Sequence, residues 1–416
     1  MIKFNSINVF SGFFLLLPAA IVSGSFLTDL IIVILALYFI FISIKKNLWH
    51  YYKNNFVYLF SFFYFYILIR SFFSVDILLS LEHSLFYFRY LFFVLCVCYL
   101  INNNKNIIRY FMYSLFIVFI TLIIDAYIQF FFTKNIFGWE NSINERISSL
   151  FRNKYILGQY LSRIYPILLG VVFLTNNDNK TKLKFAIILL FLIDVLVFIT
   201  GDRTAFLLMT MSTVMILFLA NNYKTLRLVV FLSSLIVMSM FLSFNERVYD
   251  RIVSETIQEA GINENELYII STTHQDLYKT SFKMFLDNKL FGQGPKLFRL
   301  LCSDDRFKSD EGCSTHPHNI YMQILSELGL FGLVPVLVAF LFVNYLLLMQ
   351  LLSIIVRSKN KYLKDYEVFF LIAIFITLWP FAPSLSFFSN HFSAIYYMPV
   401  AFLLTYKYNV GQDTAS

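Results

Sequence analysis

The 416-residue sequence has few of the residues that keep a chain soluble or interrupt its regular structure. Only 14% of its residues are charged, and it contains 13 glycines, 8 prolines and 4 cysteines. A soluble domain normally has about a quarter charged residues. The scarcity of glycine and proline excludes collagen-like and disordered chains, and four cysteines are too few for a small disulfide scaffold.

Several common catalytic motifs are also absent from the sequence. It has no Walker loop, no dinucleotide-binding Gly-x-Gly-x-x-Gly and no His-Glu-x-x-His zinc motif. No two aspartates are spaced Asp-x-Asp, so a common type of metal–nucleotide-sugar site is missing. No stretch is long and polar enough to form a cytoplasmic domain that holds a nucleotide. We therefore expect any transferase activity to use a lipid-borne donor, with no cofactor and no metal.

Apolar residues make up 59% of the chain, aromatic residues 19%, and the mean hydropathy is +0.69. A helix crosses the hydrocarbon core with about 20 apolar residues. The segments that qualify are 7–24, 26–44, 55–73, 84–101, 109–132, 156–175, 184–200, 204–220, 227–244, 320–352, 367–386 and 392–407. We predict an all-α polytopic membrane protein of about 12 transmembrane helices, divided into 1–244 (helices 1–9), a loop domain at 245–319, and 320–416 (helices 10–12 with a short tail).

The net charge of +8 comes from short basic clusters that lie between the apolar segments. Nucleic-acid binding would need basic residues concentrated on one face, so we expect no nucleic-acid partner. Every second connection is basic, which the positive-inside rule assigns to the cytoplasm together with both termini. The clusters are Lys45, Lys46 and Lys53; Lys105 and Arg109; Lys180, Lys182 and Lys184; Lys224 and Arg227; and Arg357, Lys359, Lys361 and Lys364.

The opposite side of the membrane holds two longer loops, about 133–155 and 245–319. The second, called here the large loop, begins with a short amphipathic helical pattern at 245–253 and has a second helical stretch at 277–286. It also contains Cys302 and Cys313. In an oxidising compartment this pair would form a disulfide worth roughly 2–3 kcal/mol. A zinc site is the alternative, although four well-spaced ligands are missing.

An arginine stands at the edge of the membrane in the short connection Thr200-Gly201-Asp202-Arg203. A charge at this position is costly unless it faces water, a carboxylate or an anion. Arg203 therefore pairs with Asp202, extends to the interface, or binds phosphate through its planar guanidinium.

Two histidines, His316 and His318, lie immediately before the tenth span. Histidine titrates near neutral pH and is the commonest general base. The alternatives are solvated loop residues or metal ligands, and no partner set completes a metal site.

Further arginines lie before and within the sixth span. Arg146 and Arg152 precede it, and Arg163 is inside it. With Arg203 they would form a cationic rim suited to a lipid-linked diphosphate, or they extend individually to the interface. Four membrane-segment charges also require partners that the sequence does not identify: Arg70, Arg89, Asp125 and Asp194.

Taken together, these features resemble the O-antigen ligase and O-antigen polymerase superfamily of bacterial envelope proteins. The resemblance covers the span number and the large late loop, and it is sharpest at Arg203-x3-Leu207 and at His318-x10-Gly329, where Asn319 and Tyr321 follow the histidine. Looser similarity covers Arg146–Phe151, Phe291–Pro295 and the cysteine pair.

The resemblance implies transfer of a glycan from an undecaprenyl diphosphate donor to a sugar hydroxyl at the periplasmic face of the bacterial inner membrane. It implies that Arg203 neutralises the departing diphosphate and that His318 is the base, with Arg146, Arg152, Arg163, Asn319 and Tyr321 binding substrate. The acceptor is lipid A-core in a ligase, or a second lipid-linked glycan in a polymerase. A flippase or another transporter is an alternative from a different class, and it would not require His318.

The predicted topology is testable with reporter fusions at residues 270 and 360. The alternating basic connections place residue 270 in the periplasm and residue 360 in the cytoplasm. An alkaline phosphatase fusion should therefore be active at 270 and inactive at 360, and a cytoplasmic reporter should give the reverse. Matching activity of one reporter at both positions would contradict the topology.

Overall fold

The computed structural model describes residues 6–104, 106–140, 146–152, 154–175, 180–259, 271–358 and 361–413. Side chains are not described at 180–185, 391 and 406–413. Two of the predicted cytoplasmic charges, Lys105 and Lys359, lie outside the described residues, as do the side chains of Lys180, Lys182 and Lys184.

The described residues form helices and turns, with no β-strand among them. The helices are α1 Ser6–Ser23, α2 Ser25–Lys45, α3 Asn55–Phe72, α4 Ile77–Ser84, α5 Arg89–Asn103, α6 Ile107–Phe132, α7 Leu157–Leu174, α8 Lys180–Ile199, α9 Arg203–Leu219, α10 Lys224–Phe244, α11 Glu246–Tyr249, α12 Glu255–Glu259, α13 Thr272–Asp287, α14 Phe298–Leu301, α15 Ile320–Ile355, α16 Asp365–Thr377 and α17 Asn390–Asp413.

Eight helical segments within the described ranges are long and apolar enough to cross a membrane. Shorter apolar helices occupy Ala186–Ile199, Arg203–Leu219 and Phe392–Thr405. Each predicted span has a corresponding helix, which confirms the all-α polytopic membrane fold.

The eleventh span ends earlier than the sequence indicates. Apolar residues continue to 386, but α16 ends at Thr377. Pro380 and Pro383 follow, and proline cannot donate the backbone hydrogen bond that would continue the helix. The segment 378–389 is consequently non-helical and connects α16 to α17 without regular structure.

The large loop contains helices and a small apolar cluster of its own. A short π-helical turn, Asp250–Ser254, joins α11 to α12, so that the chain is helical from Glu246 to Glu259. The cluster that joins α13 to α14 comprises Leu277, Met284, Leu297, Phe298, Leu301, Cys302 and Phe307. Cys302 is bonded to Cys313, which confirms the predicted disulfide.

The large loop is attached to the membrane helices at a break inside α15. Gly329 has φ +64° and ψ −162°, a conformation that is essentially restricted to glycine. Backbone hydrogen bonds cross the break in both directions: the Leu330 nitrogen donates to the Lys289 carbonyl at 2.9 Å, and the Gly294 nitrogen donates to the Glu327 carbonyl at 2.7 Å. The turn 289–294 is thus paired with α15.

Two side chains of α3 satisfy the carbonyl groups at this junction. The Arg70 guanidinium donates to the carbonyls of Phe291 at 3.0 Å and Gly292 at 2.6 Å. The Tyr66 hydroxyl donates to the Leu328 carbonyl. Carbonyls left unpaired in an apolar environment are costly, so these contacts stabilise the break and give Arg70 its partners.

The other charges in the membrane segments are also paired. Arg89 forms an ion pair with Asp29 at 2.7 Å and donates to Asn390. Asp125 accepts hydrogen bonds from the Ser149 hydroxyl at 2.6 Å and the Ile136 nitrogen at 2.9 Å. Both of these partners lie in the 133–155 loop, so Asp125 holds that loop against α6.

Arg227 is not the exposed loop charge that the sequence indicated. Its side chain is 4% exposed, and its guanidinium forms two hydrogen bonds to Asp194, whose side chain is fully buried. Thr213 accepts a further hydrogen bond from Arg227. The pair links α8 to α10 inside the helical bundle, and it leaves the partly exposed Lys224 as the other basic residue of that connection.

Gly329→Ala should destabilise the attachment of the large loop. An added Cβ would lie 2.5 Å from the backbone carbon of Leu290, and the backbone conformation is also strained for alanine. We expect a loss of roughly 2 kcal/mol or more of stability, measured by thermal unfolding in detergent and by protease cleavage of the loop. Gly12→Ala is the matched control, because nothing lies within 4 Å of its added Cβ. Equal stability of the two variants would contradict the role of Gly329.

Candidate functional site

The turn before α9 presents Arg203 at the end of a membrane helix. Asp202 caps α9, because its carboxylate accepts a hydrogen bond from the Ala205 nitrogen at 2.9 Å. Gly201 has φ +68°, and an added Cβ there would lie 2.5 Å from Cγ of Arg251. The turn therefore packs closely against the helical stretch 246–259 of the large loop.

The Arg203 guanidinium contacts that same helical stretch. It forms an ion pair with Glu259 at 2.6 Å and donates to the Thr256 hydroxyl at 3.1 Å. Asp202, the partner considered from the sequence, instead accepts two hydrogen bonds of 2.9 Å from the Gln159 amide. Arg203 is 31% exposed, so its charge is accessible to solvent and to an incoming anion.

His318 lies between two other histidines. Its ring centroid is 4.2 Å from that of His316 and 5.8 Å from that of His274 on α13. The backbone of His318 has φ +54°, a left-handed conformation that few residues other than glycine adopt. Its carbonyl accepts a hydrogen bond of 2.7 Å from the Ser384 nitrogen, which holds that conformation.

The histidines are in environments that favour the neutral ring. Burial, assisted by the neighbouring His274, lowers the pKa of His318 below its usual value. Burial, followed by the effect of His318, lowers the pKa of His316 to about 4. At neutral pH the rings are therefore uncharged, which is the form that accepts a proton.

His274 joins the arginine and the histidines into one site. Burial lowers its pKa, while the charge of Glu259 raises it and the charge of Arg203 lowers it further. His274 therefore lies within electrostatic reach of the Arg203–Glu259 pair and also beside His318. The Ser271 hydroxyl is 2.7 Å from Nδ1 of His274 and helps to fix its ring.

Sequence reasoning did not single out His274. It belongs to no motif, and the predicted helix 277–286 began after it, whereas α13 begins at Thr272. The available signal was one histidine just ahead of a helical pattern in the loop that also carries His318.

Asn319 and Tyr321 stabilise the position of His318. Asn319 caps α15, accepting from the Tyr321 nitrogen at 2.9 Å, and its amide donates to the Pro380 carbonyl at 2.7 Å. The Tyr321 hydroxyl donates to the Leu378 carbonyl at 2.7 Å. These contacts secure the non-helical segment 378–389, which in turn supplies the hydrogen bond to the His318 carbonyl.

The three arginines predicted for a cationic rim have different surroundings. Arg152 is exposed and lies over the Trp139 ring at 4.7 Å, while Arg146 lies over the Tyr155 ring at 5.8 Å. Both aromatic residues belong to the same loop as their arginine.

Arg163 is buried rather than placed on a rim. Its side chain lies over the Phe392 ring at 4.8 Å and donates to the Gln159 side chain. Gln159 donates in turn to Asp202. Arg163 is thus connected to the Arg203 turn from inside the helical bundle.

Within the described ranges, no group of three or more His, Cys, Asp or Glu side chains has the geometry of a metal site. The His318 ring is tilted by 45° against that of His316 and lies edge-on to that of His274. The arrangement contains a neutral histidine, His318, beside His274, which is itself within electrostatic reach of the Arg203 guanidinium.

Part of the chain is similar to a known protein family. Residues 185–337 match the family model described as O-antigen ligase. The matched segment runs from α8 into α15, so it contains Arg203, the large loop, His318 and Gly329. A search of curated proteins finds no significant match. The family match confirms the resemblance to the O-antigen ligase-like superfamily.

Glu259→Gln should strengthen the binding of pyrophosphate to the purified protein. Glu259 forms an ion pair with the Arg203 guanidinium, and we expect the same guanidinium to bind the anion. A partly exposed ion pair is worth about 0–1 kcal/mol, so we expect up to about fivefold tighter binding by calorimetry. Glu246→Gln is the matched control, since Glu246 is exposed at the other end of the same helical stretch. Unchanged affinity in both variants would show that Glu259 does not compete with the anion.

Proposed function

We propose that the protein is a glycosyltransferase of the O-antigen ligase type, which moves a glycan from an undecaprenyl diphosphate donor to a sugar hydroxyl of lipid A-core. The observation that carries this proposal is the common site of Arg203 and His318. They are 115 positions apart in the sequence, yet the His318 ring lies 5.8 Å from that of His274, and His274 is within electrostatic reach of Arg203. A cation at a membrane edge and a neutral histidine in the same part of the molecule match the two requirements of this transfer.

The first requirement is stabilisation of the departing diphosphate. Arg203 is the first residue of α9, so it lies where the diphosphate of a membrane-anchored donor would reach the interface. Its planar guanidinium can form two parallel hydrogen bonds to phosphate oxygens. The negative charge that develops on the leaving group is thereby stabilised as the bond to the sugar breaks. The donor diphosphate takes the place of the Glu259 carboxylate.

The second requirement is removal of the acceptor proton. The acceptor oxygen attacks the anomeric carbon, the bond from that carbon to the diphosphate oxygen breaks, and the hydroxyl proton passes to His318. The lowered pKa of His318 keeps its ring neutral at neutral pH and available for this proton. A single displacement of this kind inverts the anomeric configuration.

The proposed reaction takes place at the periplasmic face of the bacterial inner membrane, with both termini in the cytoplasm. Neither of the two residue roles requires a metal ion or a nucleotide. Arg152 and Arg146, together in the other outer loop, remain candidates for contacts with the donor, and the buried Arg163 supports the Arg203 turn.

Reconstitution with a lipid-linked glycan tests the proposal and separates its alternatives. Lipid A-core and a lipid-linked acceptor are offered in separate reactions. Transfer to lipid A-core supports a ligase, and extension of the lipid-linked acceptor supports a polymerase of the same superfamily. Movement of the donor across the membrane with no glycosidic bond formed would contradict both and indicate a flippase.

Arg203 and His318 should be separable by substitution. Arg203→Ala should abolish transfer and weaken donor binding, and Arg203→Lys should recover only part, because lysine keeps the charge but not the two-pronged geometry. His318→Ala should reduce transfer by about 10²–10⁴-fold with donor binding nearly intact, since the base acts on the acceptor. Transfer and donor binding are measured in the same membranes at matched expression.

Two histidine variants provide the comparison for His318→Ala. His316→Ala should have a much smaller effect on the transfer rate, because of the two histidines only His318 stands at the motif position eleven residues before Gly329. His50→Ala, in the short exposed turn Trp49–Tyr52, should transfer like the unmodified protein. Undiminished transfer by His318→Ala would eliminate the general-base role, and undiminished transfer by Arg203→Ala would eliminate the diphosphate role.

A further inference from the structure

A cavity of about 270 Å³ opens beside the histidine cluster. His316 forms part of its wall, together with Lys296 and Arg299 from the large loop, His83 from α4 and the segment 385–389. Neither Arg203 nor His274 is among the lining residues. The cavity therefore lies on the His316 side of His318, whereas Arg203 acts electrostatically on His274, which lies beside His318.

The cavity carries an excess of positive charge. Lys296 is mostly buried, and its ammonium donates to the Glu82 carboxylate at 2.8 Å and lies 3.1 Å from Nδ1 of His83. One of its three donors is left for a ligand. Arg299 is exposed and forms no ion pair with any carboxylate in the described part of the chain. Among the described residues, Glu82 is the one carboxylate that forms an ion pair with these groups, and its side chain is 60% exposed.

The position of Lys296 is fixed by the same junction that attaches the large loop. Lys296 has φ +65° and directly follows the turn 289–294 and Pro295. The Ser80 hydroxyl of α4 donates to the Pro295 carbonyl at 3.0 Å. A buried lysine held by backbone contacts on both of its sides is a positioned group, unlike a solvated surface lysine.

The remaining walls offer both hydroxyl groups and apolar surface. Thr315, Ser386 and Ser389 line the cavity beside Leu385 and Phe388. The Ser386 hydroxyl oxygen accepts a hydrogen bond of 3.0 Å from Gln323, so its own proton is available to a ligand. Hydroxyl groups next to apolar side chains suit a sugar, which presents hydroxyls at its edge and C–H groups on its faces.

We propose that this cavity binds an anionic substituent, a phosphate or a carboxylate, carried by the saccharide acceptor. The assignment to the acceptor rests on the proposed function. The ring centroids of His316 and His318 are 4.2 Å apart. This distance is less than the separation of hydroxyl oxygens on opposite sides of one pyranose ring. A sugar whose anionic group is held by Lys296 and Arg299 can therefore place a hydroxyl of the same or the adjoining ring at His318, while the donor diphosphate occupies Arg203.

The test is direct binding to the purified full-length protein, measured by calorimetry without any transfer reaction. The probes are glucose 6-phosphate, glucose, inorganic phosphate and farnesyl diphosphate. We expect glucose 6-phosphate to bind more tightly than either glucose or inorganic phosphate, because it contacts both the cations and the hydroxyl-lined wall. Arg299→Ala should weaken its binding about tenfold, which is the loss expected for one charge-assisted hydrogen bond.

Three further variants locate the site at which glucose 6-phosphate binds. Arg306→Ala is the matched control, because Arg306 lies in the same loop but is exposed and paired with Asp304; it should leave glucose 6-phosphate affinity unchanged. Arg203→Ala should weaken farnesyl diphosphate and leave glucose 6-phosphate unaffected. Lys296→Ala should weaken glucose 6-phosphate as Arg299→Ala does. The exposed Arg299 can be replaced with little risk to folding.

Three results would overturn the proposal: equal binding of glucose 6-phosphate and inorganic phosphate, unchanged binding in Arg299→Ala, or loss of glucose 6-phosphate binding in Arg203→Ala. The last result would assign the sugar phosphate to the donor site. Failure of glycan transfer in the reconstituted system, with glucose 6-phosphate binding as expected here, would reject the proposed function and leave the anion subsite in place.

Discussion

The structure of the site depends on the backbone pairing between the turn 289–294 and the break in α15 at Gly329. Only a residue without a side chain fits there, since the Leu290 backbone would lie 2.5 Å from an added Cβ. His318 precedes Gly329 by eleven residues, and α15 begins two residues after it, at Ile320. With a rise of about 1.5 Å per residue, the helix from Ile320 to Gly329 is about 14 Å long. The histidine lies just before one end of this helix, and the other end anchors the large loop. The His318-x10-Gly329 pattern thus links the proposed base, His318, to a glycine that the backbone break requires.

The charges inside the membrane segments serve mainly to hold polar backbone and loops in place. Arg70 satisfies carbonyls of the turn 289–294, and Asp125 holds the first outer loop through Ser149. Arg227 and Asp194 neutralise each other between α8 and α10. In an apolar medium an unpaired charge is expensive, and removing one partner costs more than the pair contributes. This explains why so hydrophobic a chain retains these residues away from the site.

Hydropathy predicted a helix at each apolar segment of the described chain, because burial in lipid imposes a length and a composition on each span. Motif spacing selected Arg203 and His318 as candidate site residues, and compartment chemistry predicted the Cys302–Cys313 bridge that the structure contains. The missing parts depend on tertiary contacts. His274 becomes a candidate site residue only because α13 places it beside His318. Arg227 is buried because it pairs with Asp194, which lies 33 residues away in the sequence. Pro380 and Pro383 indicate the early end of α16. The sequence prediction extended the span past them because the surrounding residues are apolar.

The pairing of Arg203 with Glu259 also bears on how the proposed transferase would complete its cycle. A guanidinium that holds a diphosphate tightly would retain the lipid product as well as the donor, and product release limits many enzymes. A carboxylate already within 2.6 Å of that guanidinium can replace the product in one exchange, so that the cation is never left without a partner. In such a cycle some affinity for the departing lipid would be given up for faster release, and the large loop, which carries Glu259, would supply the displacing group.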